Sequence, residues 1–189
     1  MTKSKRLYTK FGDKGETSLL YGGRVSKADA HCQAYGATDE TCSALGLARA
    51  LSSDQRVREI LERVQRELFQ VGAELATDPN KYELFRLHFE PISSEITDRL
   101  EGLIDDLQSE VFLPRSFIIP GASAPSAAID LARTTVSRAE REAVKLDISG
   151  RLANKEILKY LNRLGDLLFI LARYQDRELP MEKLSEDGN

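Results

Sequence analysis

The chain has 189 residues, a formal net charge of −3, 30% charged and 7% aromatic residues, and no Trp. That length suits one domain, residues 1–189, with a substantial core. The mild acidity offers no basic field for nucleic acid, and no run of about 18 apolar residues could span a membrane. Cys32 and Cys42 form neither a Cys-x-x-Cys pair nor a Cys/His metal spacing. No metal ligands are assigned, and a reducing, cytoplasmic setting is expected. The basic start, Met1 to Arg6, lacks the apolar core of a signal sequence.

Residues 1–27 are rich in Gly, Ser, Thr and Lys and read as an ordered or ligand-ordered loop. Its centre runs Thr9-Lys10-Phe11-Gly12-Asp13-Lys14-Gly15-Glu16-Thr17-Ser18, an Asp-Lys pair between two glycines. Glycine permits tight turns and close approach to a ligand, and successive backbone N–H groups form an anion nest. Lys10 and Lys14 add charge, while Thr9, Thr17 and Ser18 add hydrogen bonds. The composition suits a polyphosphate, although no Walker A spacing is present. The same residue types also build ordinary solvated turns.

Helical patterns follow. The first runs from about Asp29 to Leu51. The second, Arg56 to Leu75, repeats Val57, Ile60, Leu61, Val64, Leu68, Val71 and Leu75 at spacings of three and four. Glu83 to Glu90 reads as irregular. A third helix carries Ile96, Leu100, Leu103, Ile104 and Leu107. Val111 to Pro120 is a connector with an extended patch at Phe117-Ile118-Ile119. Helices over Ser126–Leu146 and Asn154–Arg177 complete the set, and the polar tail, residues 178–189, is expected to be flexible. Long helices with short connections predict an all-α fold, a five-helix antiparallel bundle.

Two helices carry polar constellations. Arg133, Ser137, Glu140 and Arg141 share one stripe beside an apolar one of Ile129, Ala132, Val136, Ala139, Ala143 and Leu146, with Arg138 further round. Guanidinium groups there could grip phosphate, or simply make a charged surface. In the last helix Asn162, Arg163 and Asp166 interrupt a segment apolar nearly all round, so each needs a partner or a ligand. Asp39 lies early in the first helix, where it could orient an arginine. Neither His31 nor His88 has a partner pattern.

Five blocks, in order, carry a resemblance: Tyr8-Thr-Lys-Phe-Gly-Asp-Lys-Gly, Ala34-Tyr-Gly-Ala-Thr-Asp-Glu, Phe117-Ile-Ile-Pro-Gly, Arg138-Ala-Glu-Arg and Tyr160-Leu-Asn-Arg-Leu-Gly-Asp-Leu-Leu-Phe. The chain resembles the PduO-type ATP:cob(I)alamin adenosyltransferases from Tyr8 to about Tyr174. The resemblance implies a homotrimer with active sites between subunits. It implies transfer of the 5′-deoxyadenosyl group of ATP to the Co(I) of a cobalamin-type corrinoid, with Mg²⁺ assisting and triphosphate leaving. Thr9, Lys10, Phe11, Gly12, Thr17, Ser18 and Lys27 would line ATP, and Ser137, Arg138, Glu140, Arg141 and Asn162 would meet it from the helices. Asp39 would pair with Arg133 across the subunit interface, and Phe117 would lie beneath the corrin and displace its lower ligand. A flavoprotein reductase and an adenosylcobalamin-dependent mutase are the implied partners. Departures from the family's pattern fall at Thr41, Cys42, Ala122, Asp130 and Ser137, the last replacing an arginine. Two alternatives on other grounds are a paralogue that holds ATP or a corrinoid without efficient transfer, and a helical module that binds protein.

Overall fold

Apolar residues recurring every three to four positions give each of five long helices a face to bury. A computed structural model describes Tyr8 and residues 10–184. The long helices are α1 (Ala30–Leu51), α2 (Gln55–Leu75), α4 (Ser94–Ser109), α5 (Ala124–Ile148) and α6 (Glu156–Gln175), with a short α3 (Tyr82–Arg86) between α2 and α4. Asp29 caps α1 by accepting from the His31 N–H, and Asp54 caps α2 by accepting from the Val57 N–H. Ser123 and Ser126 form a reciprocal box at the start of α5. All seven apolar positions expected on α2 are buried, as are the six expected on α5.

Cross-helix pairs fix the directions. His31 meets Leu75 while Gln65 meets Cys42, so α1 and α2 are antiparallel. Asp29 meets Arg151 while Glu40 meets Arg138, so α1 and α5 are too. Asn162 meets Glu140 while Arg173 meets Asp130, which sets α6 antiparallel to α5. By contrast, Thr97 meets Glu156 and Glu101 meets Arg163, so α4 and α6 run side by side in parallel.

Several expectations need correction. The chain is mostly helical but not all-α. Strands β1 (Glu16–Ser18) and β2 (Arg24–Ser26) form an antiparallel hairpin with Thr17 opposite Val25. Their run is too short to show an alternating pattern. The hairpin is stapled to the end of α2, where the Leu20 N–H donates to the Ala76 carbonyl (2.7 Å) and the Asp78 N–H to the Leu20 carbonyl (3.1 Å). Residues 83–90 are not wholly irregular: a 3₁₀ turn (Pro79–Lys81) leads into α3, whose Phe85 is fully buried. Helix α6 is not apolar all round, because Asn162, Asp166 and Phe169 mark an exposed stripe. The tail is paired as far as Leu184: Ile119 donates its N–H to the Glu182 carbonyl (2.8 Å), and Leu184 donates to that of Phe117 (2.9 Å). Residues 185–189 lie outside the described ones. Among the described residues no helix is long and apolar enough to cross a membrane.

Two carboxylates hide within the apolar stripe of α2. Glu67 accepts from the buried Tyr160 hydroxyl (2.9 Å) and pairs with Arg99. Glu74 accepts from the Tyr82 hydroxyl (2.9 Å), the Asn154 amide (2.9 Å) and the Ile92 N–H, joining α3 to the segments that precede α4 and α6. Among the described residues no cation pairs with Glu74, and burial raises its pKa against those hydrogen bonds. A carboxyl raised in this way binds its proton more tightly in the folded chain than in the unfolded one. Its stability contribution is therefore complete at low pH and is lost as pH rises through the folded value. Glu74→Gln carries no such loss. The melting temperature of Glu74→Gln minus that of wild type should climb between about pH 4 and about pH 8; a difference that is flat or falls with pH contradicts the assignment.

Candidate active site

The glycine loop is a pair of tight backbone turns. Gly12 and Gly15 close successive turns, with Asp13 donating its N–H to the Lys10 carbonyl (3.3 Å) and Gly15 to that of Gly12 (3.1 Å). Gly15 is left-handed at φ 76, and Lys10 adopts φ 63, a conformation sparsely populated by non-glycine residues. The Lys27 N–H donates to the Gly15 carbonyl (2.9 Å), and its ammonium folds over Gly12, within 3.0 Å of where a Cβ would stand. Phe11 is 74% exposed, and its carbonyl accepts from Arg24 (2.8 Å). Thr17 and Ser18 lie on β1, paired with Val25 and Arg24. Thr9 is outside the described residues. Lys27 has no acidic partner among the described residues.

The arginine helix α5 presents its polar residues beside the buried seam. Arg138 reaches α1 to pair with Glu40. Glu140 is half-buried and accepts from the Asn162 amide of α6 (3.2 Å), while the Asn162 carbonyl oxygen accepts from Arg163 (2.9 Å). Asn162 is therefore an exposed interhelix bridge rather than a buried polar break. Arg141 is exposed and has no acidic partner among the described residues. Ser137 puts a hydroxyl where the family pattern has a cation, and it donates to the Arg133 carbonyl (3.3 Å).

Asp39 and Arg133 do not meet within the chain. The α1–α5 register places Glu40 against Arg138, so Arg133 lies nearly two turns, about 10 Å, further along. Arg133 instead leans on Asp130 (3.4 Å), and Asp39 is exposed on α1.

Phe117 is 82% exposed on the connector before α5. Beneath that connector a small cavity is lined by Ile118, Ala122, Ser126, Asp130, Arg173 and Met181. Its floor is an ion pair that sequence reasoning missed: Arg173 donates to both oxygens of Asp130 (2.7 and 2.9 Å), and both side chains are only about one-twentieth exposed. The sequence signals were a charge on each of two otherwise apolar faces and the departure from the family's pattern at Asp130. The departures at Thr41 and Cys42 also prove to be interior. The Thr41 hydroxyl donates to the Ala37 carbonyl (2.8 Å), and Cys42 is buried where the Gln65 amide donates to the Cys42 carbonyl (3.0 Å).

The hairpin and Phe117 occupy opposite ends of the bundle. The hairpin joins the start of α1 and the end of α2, whereas Phe117 sits over the start of α5. Helix α5 alone is 25 residues, about 37 Å.

A bundle with a glycine- and lysine-bearing hairpin at one end and an exposed aromatic at the other matches a known class. A family model described as cobalamin adenosyltransferase matches residues 7–175. The chain is 40% identical over 176 residues to the corrinoid adenosyltransferase of Mycobacterium leprae, covering 89% of this chain and 90% of that protein. It is 38% identical over 172 residues to the corrinoid adenosyltransferase PduO of Salmonella typhimurium, covering 91% of this chain but 50% of that protein, and so spans half its length. A variant PduO-type ATP:corrinoid adenosyltransferase from Lactobacillus reuteri, complexed with cobalamin and ATP, superposes with a TM-score of 0.87 at 33% identity, over 96% of this chain and 100% of that one. The chain belongs to the cobalamin adenosyltransferase family.

Breaking a buried ion pair strands a charge, whereas replacing both partners by apolar groups does not. Arg173→Met alone should cost ~3–5 kcal/mol in urea unfolding, and Asp130→Leu with Arg173→Met far less than the sum of the two single changes. Additive losses would show that the two side chains act separately.

Proposed function

We propose that this chain is an ATP:corrinoid adenosyltransferase that moves the 5′-deoxyadenosyl group of ATP onto the Co(I) of a cob(I)alamin-type corrinoid. The Co–C bond forms as the C5′–O bond breaks, and triphosphate leaves. The reduced cobalt is the nucleophile, so the protein needs no nucleophile of its own. Its task is to bind, orient and neutralise. Lys10, Lys27 and the glycine loop hold the polyphosphate, with Phe11, Gly12, Thr17, Ser18 and the undescribed Thr9 lining the nucleotide. Arg138 and Arg141 meet the developing negative charge. Ser137, Glu140 and Asn162 complete that wall. Phe117 lies against the corrin and excludes water from the cobalt face. The observation that carries the reading is the hairpin's Lys27 ammonium, folded over Gly12 with no acidic partner among the described residues.

Mg²⁺ takes few protein ligands and prefers phosphate oxygens. Glu140, half-buried beside the arginines, is the carboxylate of this wall that fits it. When bound there it would neutralise triphosphate charge.

The distance between hairpin and Phe117 supports a site completed by a second copy. Transfer requires contact between C5′ and cobalt, and a span of about 37 Å within one chain forbids it. The same holds for Asp39 and Arg133, which a neighbouring subunit can bring together. A homotrimer whose five long helices form the family's bundle, with residues 1–189 as one cytoplasmic domain, accounts for these separations. A flavoprotein reductase upstream and an adenosylcobalamin-dependent mutase downstream fit the chemistry of substrate and product.

Subunit complementation tests this arrangement. Lys10→Ala and Phe117→Ala homomers should each be nearly inactive in an anaerobic assay that follows loss of the Co(I) spectrum with ATP. Co-assembled hybrids should recover about a quarter of wild-type turnover, since one site in four draws both intact halves from different chains. Hybrids as inactive as the parents would place both halves in one chain. Normal turnover in both homomers would remove the assigned roles.

A further inference from the structure

The arginine helix ends in a Schellman motif. Gly150 is left-handed at φ 68, its N–H donates to the Asp147 carbonyl (2.9 Å), and the Arg151 N–H donates to that of Leu146 (2.8 Å). This stop fixes the direction in which Arg151 leaves the helix. Its Nη2 donates to both carboxylate oxygens of Asp29, at 2.8 and 2.9 Å. Burial opposes charge on Asp29, but the His31 N–H and the Arg151 guanidinium outweigh it and hold the carboxyl below its usual pKa.

Asp29 is the residue on which the hairpin's stem turns into the bundle. Its N–H donates to the carbonyl of Ser26, the last residue of β2 (2.9 Å), and its carboxylate caps α1 through the His31 N–H (2.9 Å). The His31 ring is itself tied to α2, with Nδ1 2.7 Å from the Leu75 carbonyl oxygen. Lys27 lies between Ser26 and Asp29 and carries the ammonium that covers Gly12. Two other fastenings of the hairpin, Leu20 to Ala76 and Asp78, and the Cys32 thiol to the Ser26 carbonyl (3.5 Å), do not involve Asp29. Loss of Arg151 therefore loosens the stem while the hairpin stays paired.

We propose that Arg151, acting through Asp29, is a positioning residue for ATP. It sets where Lys27 and the Lys10–Gly15 loop stand, and touches no substrate itself. This rests on the reading of the hairpin as the nucleotide half of the site. Small displacements of a positioning group are enough to cost up to ~10²-fold in rate or affinity.

The test uses the full chain with ATP and cob(I)alamin. Arg151→Ala should raise KM for ATP about tenfold while KM for cob(I)alamin stays within about twofold. Arg151→Lys should recover part of the loss, because it keeps the charge but not the two-oxygen contact. Asp29→Asn retains a good helix cap and should match Arg151→Ala, and the double variant should be no worse than either single. Equal rises in both KM values, or additive single effects, would mean a general structural role and overturn the proposal. Lys27→Ala separates the two levels of inference. If it raises KM for ATP and Arg151→Ala does not, the positioning role fails alone; if neither does, the nucleotide reading of the hairpin fails with it.

Discussion

Small side chains hold the arginine helix in place. Ala128, Ala132, Ala139 and Ala143 line the buried face of α5, while Ala34, Ala37 and Ala48 line that of α1. Side chains this short let two backbones approach closely, so the residues flanking the seam lie near the neighbouring helices. Arg138 can then reach Glu40 on α1, and Glu140 can meet Asn162 on α6. Larger residues on the seam would push α5 outward and carry the whole polar stripe with it. The site's electrostatics therefore depend on an apolar packing constraint.

The same rods that align the polar stripe also separate the working parts. A helix of this length stores no flexibility between its ends, and the antiparallel order sends the start of α1 and the start of α5 to opposite ends. Charge is distributed accordingly. The hairpin end gathers Lys10, Lys14, Arg24 and Lys27, while the opposite end stacks Tyr174 between Arg56 and Arg177 and buries the Asp130–Arg173 pair. The lysines of the first group face water, whereas Arg24 is tied to Glu16, Arg56 to Glu110, Arg177 to Asp54 and Arg173 to Asp130. Cation count alone would not distinguish them; burial and partners do.

Helical periodicity made most of the bundle legible, because burial on one face leaves a repeating mark in the chain. Every apolar position expected on α2 and α5 is buried. The hairpin was not legible as strands, since three residues each are too few to show alternation, and its pairing depends on α2, far off in sequence. Glu67, Glu74, Arg173 and the pairing of Asp130 escaped notice for a related reason. A charge on an apolar face looks like a local exception until the partner from another helix is known. The glycine loop, the arginine stripe and Phe117 were readable as pieces because their residue types stand out from the helical pattern, and the roles proposed for them rest on the family. Their separation was not, because distance along a bundle appears only once helix directions are set. For Asn162 the interhelix partner open from the sequence is the one found, but its exposure was not legible, since a bridge at the edge of α6 has the same local sequence as a polar break inside it.

Exposure of Phe117 in a chain with no tryptophan has a practical side. An indole placed there would be the sole Trp fluorophore, on a connector that the tail braces through Ile119 and Leu184. On the proposed reading a corrin at that face, which absorbs visible light, would quench it on contact. Adding nucleotide for the proposed site at the far end while watching this emission would then give the order in which the two substrates load without any turnover.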